Sequence, residues 1–209
     1  MGRLLSVNVG RARQVAVRRG RPLMSAIGKT PVAGRVRVAG INVDGDEQAD
    51  RRIHGGPEKA VYAYAAEDTA WWEAQLGREL GPGAFGENLT VAGVDVSGAV
   101  VGERWSVGAV VLEVCQPRLP CSKLGIRFGD GSMVRRFAEA ERPGAYLRIV
   151  AEGEIEAGDA VDVGPPPEHG VTVRLVARAI LLDERLLEDA AAAPELPAGL
   201  ARWMRERAA

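Results

Sequence analysis

The stretch SVGAVVLEVCQPRLPCSKL, residues 106–124, joins an apolar run to a loop bounded by prolines. Its first nine residues, 106–114, are rich in valine and predict a strand, which Cys115 ends as a buried, inert thiol. Short runs of this kind recur along the chain between glycine and proline turn signals, a pattern typical of an all-β barrel or sandwich. We therefore predict a mainly β protein. Its other strands are predicted at 4–9, 35–40, 59–64, 145–150 and 160–163.

The second half of the quoted stretch places Cys121 in a loop between Arg118 and Lys123. Prolines on both sides of this loop restrict its backbone, so the thiol is held rather than free to wander. Positive neighbours favour the thiolate, which is the form of cysteine that acts as nucleophile and metal ligand. The loop therefore predicts a poised, reactive sulfur, in contrast to Cys115.

Two helices are predicted to interrupt the strands. The first covers residues 65–76, with acidic residues in its first turn and Gly77 as its C-terminal stop. The second covers 133–141, with Ser132 as N-cap and Pro143-Gly144 as its end. Both helices are expected to be excursions from the β framework.

The proline-rich segment GPPPEHG, residues 164–170, separates two regions of different composition. Alternating β patterns dominate residues 1–165, whereas alanine, leucine and arginine dominate 171–209. A stiff proline segment is a common boundary. We predict a β domain followed by a small three-helix domain, which has too little core to be stable alone. It is therefore expected to dock on the barrel or on another subunit. Its helices are predicted near 172–180, 183–192 and 197–207.

The charge balance excludes some classes of partner. The 209 residues include 27 Lys and Arg against 28 Asp and Glu, a net charge of -1. No overall basic excess argues for stable nucleic-acid binding or for attraction to an anionic membrane. The N-terminus lacks the apolar run of a secretory signal, and no window approaches the ~18 apolar residues of a membrane span. We expect a cytoplasmic protein with two reduced cysteines.

Several familiar motifs are incomplete. The GKT at 28–30 lacks the glycine that a phosphate-binding Walker loop needs five positions earlier, although Lys29 remains open as an anion contact. The acidic residues after position 43 do not have the spacing of a calcium loop. His54 and His169 are isolated, and neither forms a zinc-ligand spacing with the cysteines.

Two polar segments remain as candidate binding elements. GDEQADRRIHGGPEKAV, residues 45–61, is the densest polar passage, with two adjacent glycines that allow close backbone approach to a ligand. A solvated loop between strands explains this passage equally well. FGENLTV, residues 85–91, contains Asn88, which at such a turn is usually a structural cap bonded to its own backbone.

The three segments together resemble a known family. GDEQADRRIHGGPEKAV, FGENLTV and QPRLPCSKL, in this order, are similar to the MOSC domain, which is related to the C-terminal part of molybdenum-cofactor sulfurases. The stand-alone YiiM-like subgroup is the nearest match, and its members append a similar three-helix domain. The resemblance covers nearly the whole chain and implies a β-barrel-like fold.

The resemblance also implies a cofactor and its ligands. A molybdenum cofactor is expected, with Cys121 supplying the protein sulfur to the metal and acting as the catalytic residue. Soft thiolate suits a metal centre that already has sulfur ligands. Arginine and lysine side chains would hold the cofactor's phosphate, because bidentate arginine–phosphate bonds are strong. The candidate cofactor-binding residues are Arg51, Arg52, His54, Lys59, Asn88, Arg118 and Lys123.

The implied reaction is reduction of N-hydroxylated compounds, such as N-hydroxylated purines and hydroxylamines, to the parent amine. The sequence contains no flavin, haem or iron–sulfur motif, so a separate flavoprotein reductase is expected as electron donor. A second hypothesis is that Cys121 carries sulfur as a persulfide in a sulfur-transfer or cofactor-handling module. Pyridoxal phosphate ranks last, since no Schiff-base lysine site is evident. The helical tail also permits a homodimer.

Overall fold

The computed structural model describes residues 2–49 and 55–209. The strands are β1 (Gly2–Val9), β2 (Arg13–Arg18), β3 (Arg21–Ser25), β4 (Thr30–Pro31), β5 (Val36–Ala39), β6 (Asn42–Val43), β7 (Val61–Ala65), β8 (Leu89–Ala92), β9 (Arg104–Val107), β10 (Val110–Pro117), β11 (Ala145–Ala151), β12 (Gly153–Ile155) and β13 (Ala160–Val163). The α-helices are α1 (Ala66–Leu76), α2 (Ser122–Phe128), α3 (Met133–Glu139), α4 (Val173–Leu181), α5 (Leu187–Ala190) and α6 (Ala198–Ala208). Short 3-10 helices cover Pro57–Lys59 and Glu184–Leu186.

Within these residues, seven strands close into a barrel. Their order is β13-β9-β10-β11-β7-β8-β1, and β1 pairs back with β13. The β7–β8 pair is parallel and the other barrel pairs are antiparallel, so the barrel is mixed. Closure leaves few exposed strand edges. The prediction of a mainly β, barrel-like fold with interspersed helices is confirmed.

The barrel interior is filled by aliphatic side chains and one tryptophan. Leu4, Leu112, Leu147 and Trp105 are fully buried within a continuous apolar cluster. Strand β1 shows the expected alternation, with buried and exposed residues following each other over its first half. Each fully buried leucine contributes about 1.5–3 kcal/mol of hydrophobic free energy, which makes this cluster the main stabilising element.

The prediction of one continuous strand over residues 106–114 is wrong, because this stretch belongs to two strands, β9 and β10. A turn at Gly108 and Ala109 separates β9 from β10, which pair with each other across it. Gly108 has a φ of 54°, a left-handed conformation that glycine adopts without a steric penalty. The unbroken series of apolar residues hides this turn, because buried strands on both sides are apolar too.

The helix predictions are confirmed in position but not in every cap. Gly77 has a left-handed backbone conformation, and its amide donates a hydrogen bond to the Glu73 carbonyl. Helix α1 therefore ends at Gly77 as predicted. Ser132 is not the predicted side-chain cap of α3, because its backbone is already helical and its hydroxyl donates to Asp130. Helix α2 was not predicted. Across the described ranges, no helix is long and apolar enough to cross a membrane.

The C-terminal helices pack on the barrel. Val173 and Val176 of α4 and Met204 of α6 are fully buried in the same apolar cluster as Leu112 of β10. Thr172 caps α4 by accepting a hydrogen bond from the Leu175 amide at 3.1 Å. The tail therefore docks on its own barrel, one of the two arrangements expected. The division into domains 1–165 and 171–209 stays a prediction.

Candidate functional site

A cavity that is open to solvent lies beside the barrel wall at the end of β10. Four chain segments meet there, although they are far apart in the sequence. The described lining residues are Ser25, Ala26, Ile27, Lys29, Asp46, Glu47, Gln48, Ala49, Lys59, Ala60, Tyr62, Phe85, Gly86, Asn88, Arg118, Leu119, Cys121, Lys123 and Tyr146.

Cys121 lines this cavity, and the described structure holds its thiol free of any disulfide. Strand β10 ends at Pro117, and α2 begins immediately after Cys121. The Cys121 carbonyl accepts the Leu124 amide at 2.9 Å, and Leu124 is fully buried. The cysteine is therefore anchored from both sides while its side chain remains partly exposed to the cavity. The structure therefore places Cys121 at the cavity, and the reactivity of its thiol stays a prediction.

Arg118 is buried in the cavity wall, with only 6% of its surface exposed. Its guanidinium carbon lies 5.6 Å from the ring centroid of Tyr62 and 5.2 Å from that of Phe137. Cation–π contacts of this kind orient an arginine without using its N–H donors. Its Nη1 atom is buried and finds no hydrogen-bond partner among the residues that the structure covers. A buried unpaired donor is costly, so this wall has a place for an acceptor.

Two tyrosines form an aromatic wall beside Arg118. The rings of Tyr62 and Tyr146 have centroids 5.1 Å apart, and the Tyr62 hydroxyl donates to the Pro143 carbonyl at 2.9 Å. Burial raises the pKa of Tyr146, an effect that the Arg118 charge opposes and the nearby Cys121 reinforces. The phenol of Tyr146 therefore holds its proton at neutral pH.

The opposite wall contains a buried network around Asp46. Lys29 forms a buried ion pair with Asp46, and the Asn88 amide donates to the same carboxylate at 3.0 Å. The Gly10 amide donates to the other oxygen of Asp46 at 2.8 Å. Burial lowers the pKa of Lys29, and the Asp46 charge opposes this shift. The network fixes a lysine at the cavity wall.

Asn88 ties three segments together instead of capping its own backbone as expected. Its carbonyl oxygen accepts the Tyr62 amide at 3.1 Å, and its amide group donates to the Asn8 carbonyl at 3.2 Å and to Asp46. Asn88 therefore joins β1, the start of β7 and the Asp46 loop. It lines the cavity, but its described bonds are all to protein groups.

The turn before Asn88 allows a close approach of two chain segments. Gly86 has a φ of 81°, and a Cβ on it would lie 2.8 Å from Cγ1 of Ile27. Gly83 has a φ of 80° and would clash with the Lys29 carbonyl in the same way. The buried carboxylate of Glu87 fixes the turn by accepting the Gly83 amide at 2.6 Å. The turn at residues 83–88 thus packs against the loop that carries Lys29 at the cavity.

The lining is cationic. Within the described lining, Lys29, Lys59, Arg118 and Lys123 face two carboxylates. Both carboxylates are already engaged: Asp46 by the network above, and Glu47 by the Ala12 amide at 2.7 Å. Lys59 is half-buried, and this burial lowers the pKa of its ammonium group. The cavity therefore offers positive charge and a thiol to a bound anion.

The structure brings together most of the predicted site residues. Lys59, Asn88, Arg118, Cys121 and Lys123 all line the one cavity. The remaining predictions, Arg51, Arg52 and His54, lie outside the described residues.

Three lining side chains were not assigned to the site from sequence. The sequence leaves Lys29 open as an anion contact, and it indicates Asp46 only as one of the acidic residues without the spacing of a calcium loop. Tyr146 lies in a predicted strand with no polar motif beside it. The contacts that draw these residues together join positions that are distant in sequence, so local spacing carried no signal for them.

A closed mixed barrel with a free cysteine in a cationic side cavity defines the class of protein. The model of the MOSC domain matches residues 50–162, more than half of the chain. The chain therefore belongs to the MOSC domain family. MOSC domains are associated with molybdenum-cofactor binding.

Within the family the chain is YiiM-like. It resembles the crystal structure of YiiM from Geobacillus stearothermophilus with a TM-score of 0.81 and 26% identity, and the match covers 100% of both chains. The Bacillus subtilis protein YflK is 36% identical over 195 residues, which span 90% of this chain and 88% of that protein. A Gibberella moniliformis protein named reductase is 34% identical over 200 residues, 92% of this chain but only 35% of its own length.

Proposed function

We propose that the protein is a molybdenum-cofactor-dependent reductase of N-hydroxylated compounds, in which Cys121 ligates the metal. One observation carries the proposal: the cavity places the Cys121 thiol beside a buried arginine whose Nη1 atom has no partner in the described structure. The thiol suits a soft metal centre, and the arginine suits a phosphate. A pterin cofactor with a phosphate and a metal needs both.

The donor set of the cavity fits this group. Arg118, Lys59 and Lys123 would hold the phosphate and the polar pterin edges, because each contributes a cation to the lining. The flat rings of Tyr62 and Tyr146 would support a planar heterocycle, either the pterin or a purine substrate. When bound, the molybdenum cofactor supplies the two-electron redox centre of the reaction.

The residues of this chain have separate tasks. Cys121 would ligate the metal through its sulfur, whose position is fixed by the backbone hydrogen bond at the start of α2. Arg118, which stacks on Tyr62 and Phe137, would bind an acceptor of the ligand through its unpartnered Nη1 atom. Tyr146 holds a proton at its hydroxyl near Cys121, where an N-hydroxyl group undergoing reduction needs one. The cavity wall excludes bulk water on the barrel side.

The reaction balances with an external electron donor. An N-hydroxylated compound takes up two electrons and two protons, its N–O bond breaks, and the amine and one water leave. The electrons come from a reduced flavoprotein, which is oxidised. One relative, the Gibberella moniliformis protein, is named reductase, and this name supports a reductase function. Here we infer that the electron donor is a separate chain.

The proposal is tested by turnover. Protein made in a cofactor-competent host is mixed with an N-hydroxylated purine and a chemically reduced viologen dye, and the amine product is quantified by chromatography. We expect turnover by the parent and by Cys115→Ser, and none above background by Cys121→Ser. Equal turnover by the parent and Cys121→Ser would contradict the role of the thiol.

The competing sulfur-carrier function gives a different result in the same preparation. A carrier would show a persulfide mass increase on Cys121 and would need no metal. The thiol is free and partly exposed, so such a modification is sterically allowed. A persulfide together with no turnover would replace the reductase proposal.

A further inference from the structure

The near-neutral net charge conceals a strong asymmetry. Residues 1–43 contain eight Arg, one Lys and no Asp or Glu, whereas the rest of the chain holds 18 of the 27 cations and all 28 acids. Five of these arginines fall in residues 11–25, which we name the arginine arm. A cationic segment on an otherwise acidic chain indicates a local surface for an anionic partner.

The arginine arm is a hairpin that forms its own two-stranded sheet. Strands β2 and β3 pair only with each other in the described structure and are joined by Arg19 and Gly20, both with positive φ. Such a turn matches the twist of a hairpin, but it strains a residue other than glycine at Arg19. An isolated hairpin is marginally stable, so this segment is a poor choice for stability alone.

The charges on the arm oppose stability further. Arg18 lies directly opposite Arg21 in the hairpin register, and like charges at facing positions repel each other. Arg13, Arg18, Arg19 and Arg21 are all exposed, and none has an ion-pair partner in residues 2–49 and 55–209. The arm therefore presents unneutralised positive charge at the surface.

Arginines on the neighbouring part of the chain behave differently. Arg35 pairs with Glu156 at 3.0 Å, and Arg37 pairs with Glu152 at 3.3 Å. Both are exposed side chains in the same acid-free segment, so ion pairing is available to arginines there. In the described residues the four hairpin arginines form no such pair, whereas Arg11, at the start of the arm, pairs with Glu47 at 3.6 Å. This difference marks the arm as the cationic surface.

The arm lies next to the cavity. Strand β3 ends at Ser25, and Ser25, Ala26 and Ile27 line the cavity. Residues of β2 also approach α2, the helix that follows Cys121, to within 8 Å between Cα atoms. A partner held on the arm would therefore sit beside the cavity that contains the proposed redox centre.

We propose that the arginine arm docks an acidic electron-donor protein, the reduced flavoprotein of the proposed reaction. This inference rests on the proposed function and names its partner surface. The donor gives two electrons to the site, and two protons enter with them as the N–O bond of the substrate breaks to amine and water. Exposed Val17 and Met24 add apolar contact area among the charges, which suits a protein interface better than a phosphate backbone.

The test uses a charge-removing variant and a matched control. The arm variant is Arg18→Gln, Arg19→Gln and Arg21→Gln together. The control is Arg135→Gln, Arg202→Gln and Arg207→Gln, which removes the same charge from exposed positions on α3 and α6. Flavodoxin serves as the acidic flavoprotein. Its binding is titrated directly, and turnover is measured with reduced flavodoxin and, separately, with a reduced viologen dye.

We expect the arm variant to lose about tenfold or more in flavodoxin affinity and in turnover with flavodoxin, because opposite charges steer and hold the partner. Turnover with the dye is unchanged, and the control matches the parent. The difference shrinks between about 10 mM and 1 M salt, as the Debye length falls from about 30 Å to about 3 Å.

Two results overturn the docking inference. One is equal flavodoxin binding by the arm variant, the control and the parent. The other is a parent that ignores flavodoxin but binds short single-stranded DNA through the arm. If the parent shows no turnover with either donor, the proposed function fails by itself. The binding titration then decides the docking inference alone, by the same comparison of variants.

Discussion

Two cysteines six residues apart occupy opposite kinds of environment. Cys115 lies within β10, is fully buried, and its sulfur accepts a hydrogen bond from the Arg148 Nε at 2.9 Å. Cys121 lies in the loop after β10, partly exposed to a cationic cavity. One short stretch of the chain therefore holds one thiol in the protein interior and places the other at the cavity.

The comparison shows that a nearby cation does not by itself create a reactive thiol. Burial raises the pKa of Cys115 despite the Arg148 guanidinium, because removal of the thiolate from water outweighs the ion-pair attraction. The Arg148 side chain also forms an ion pair with Glu113 at 3.6 Å and donates a hydrogen bond to the Glu195 carbonyl at 2.9 Å. Arg148 thus connects the barrel to the helical tail, while the Cys121 region is built around an open cavity.

The largest expected effect separates the two thiols by activity. Cys121→Ser should lower turnover of an N-hydroxylated purine by at least about 100-fold, since a first ligand to the metal should matter at least as much as its outer partners. Cys115→Ser should retain most activity. Kinetic assays with a reduced dye on metal-loaded protein measure both. A comparable loss in the two variants would remove the distinction between the regions.

The next effect concerns the buried arginine of the cavity. Arg118→Met should weaken binding of inorganic sulfate by about tenfold or more, since a hydrogen bond to a charged group is worth about 1.5–3 kcal/mol. Arg127→Met, on the exposed side of α2, is the control and should bind as the parent does. Isothermal titration measures the affinities. Unchanged affinity in Arg118→Met would show that Arg118 is only a packing residue.

A substitution beside Cys115 should change the stability of the protein and leave its sulfate binding unchanged. Arg148→Met should lower the free energy of unfolding by about 1–3 kcal/mol, because the Glu195 carbonyl loses its donor and Glu113 loses one of two cations. Urea denaturation checks this value. Sulfate binding should stay at the parental level, and a marked loss of binding would mean that the two regions are energetically coupled.

The smallest effect is a pH dependence of anion binding. Burial lowers the pKa of Lys59 below its ordinary value of 10.5, and a bound anion should raise it again. Sulfate binding therefore takes up protons, and its affinity should fall as pH rises through the lowered pKa of the free protein. Titrations across the alkaline range test this, with Lys59→Met as the variant. An equally steep slope in that variant would exclude Lys59 as the cause.

The local features of the site were open to prediction, and the long-range ones were not. Cys121 could be recognised because its prolines and cations are its immediate neighbours in sequence. The pair of Lys29 and Asp46 joins two loops, and the packing of the FGEN turn against residue 27 is likewise a contact between distant segments. The turn at Gly108 was hidden by apolar residues on both sides. The arginine arm was hidden by whole-chain charge, which averages a cationic segment with an acidic remainder.

The fold was predictable for a different reason. Barrel strands such as β11 and β13 have the short apolar pattern that half-buried or buried strands require, and turn signals bound them. The register and the single parallel β7–β8 pair depend on contacts between distant segments. Helix α2 was missed because it is short and follows two prolines.

The most direct test of the central claim is the content of molybdenum and pterin per chain. Parent, Cys121→Ser and Cys115→Ser proteins are made in a cofactor-competent host and analysed by elemental analysis and oxidised-pterin fluorescence. We predict near-stoichiometric metal and pterin in the parent and in Cys115→Ser, with loss of metal or an altered metal spectrum in Cys121→Ser. Absence of metal and pterin from the parent, with a persulfide on Cys121, would contradict the account.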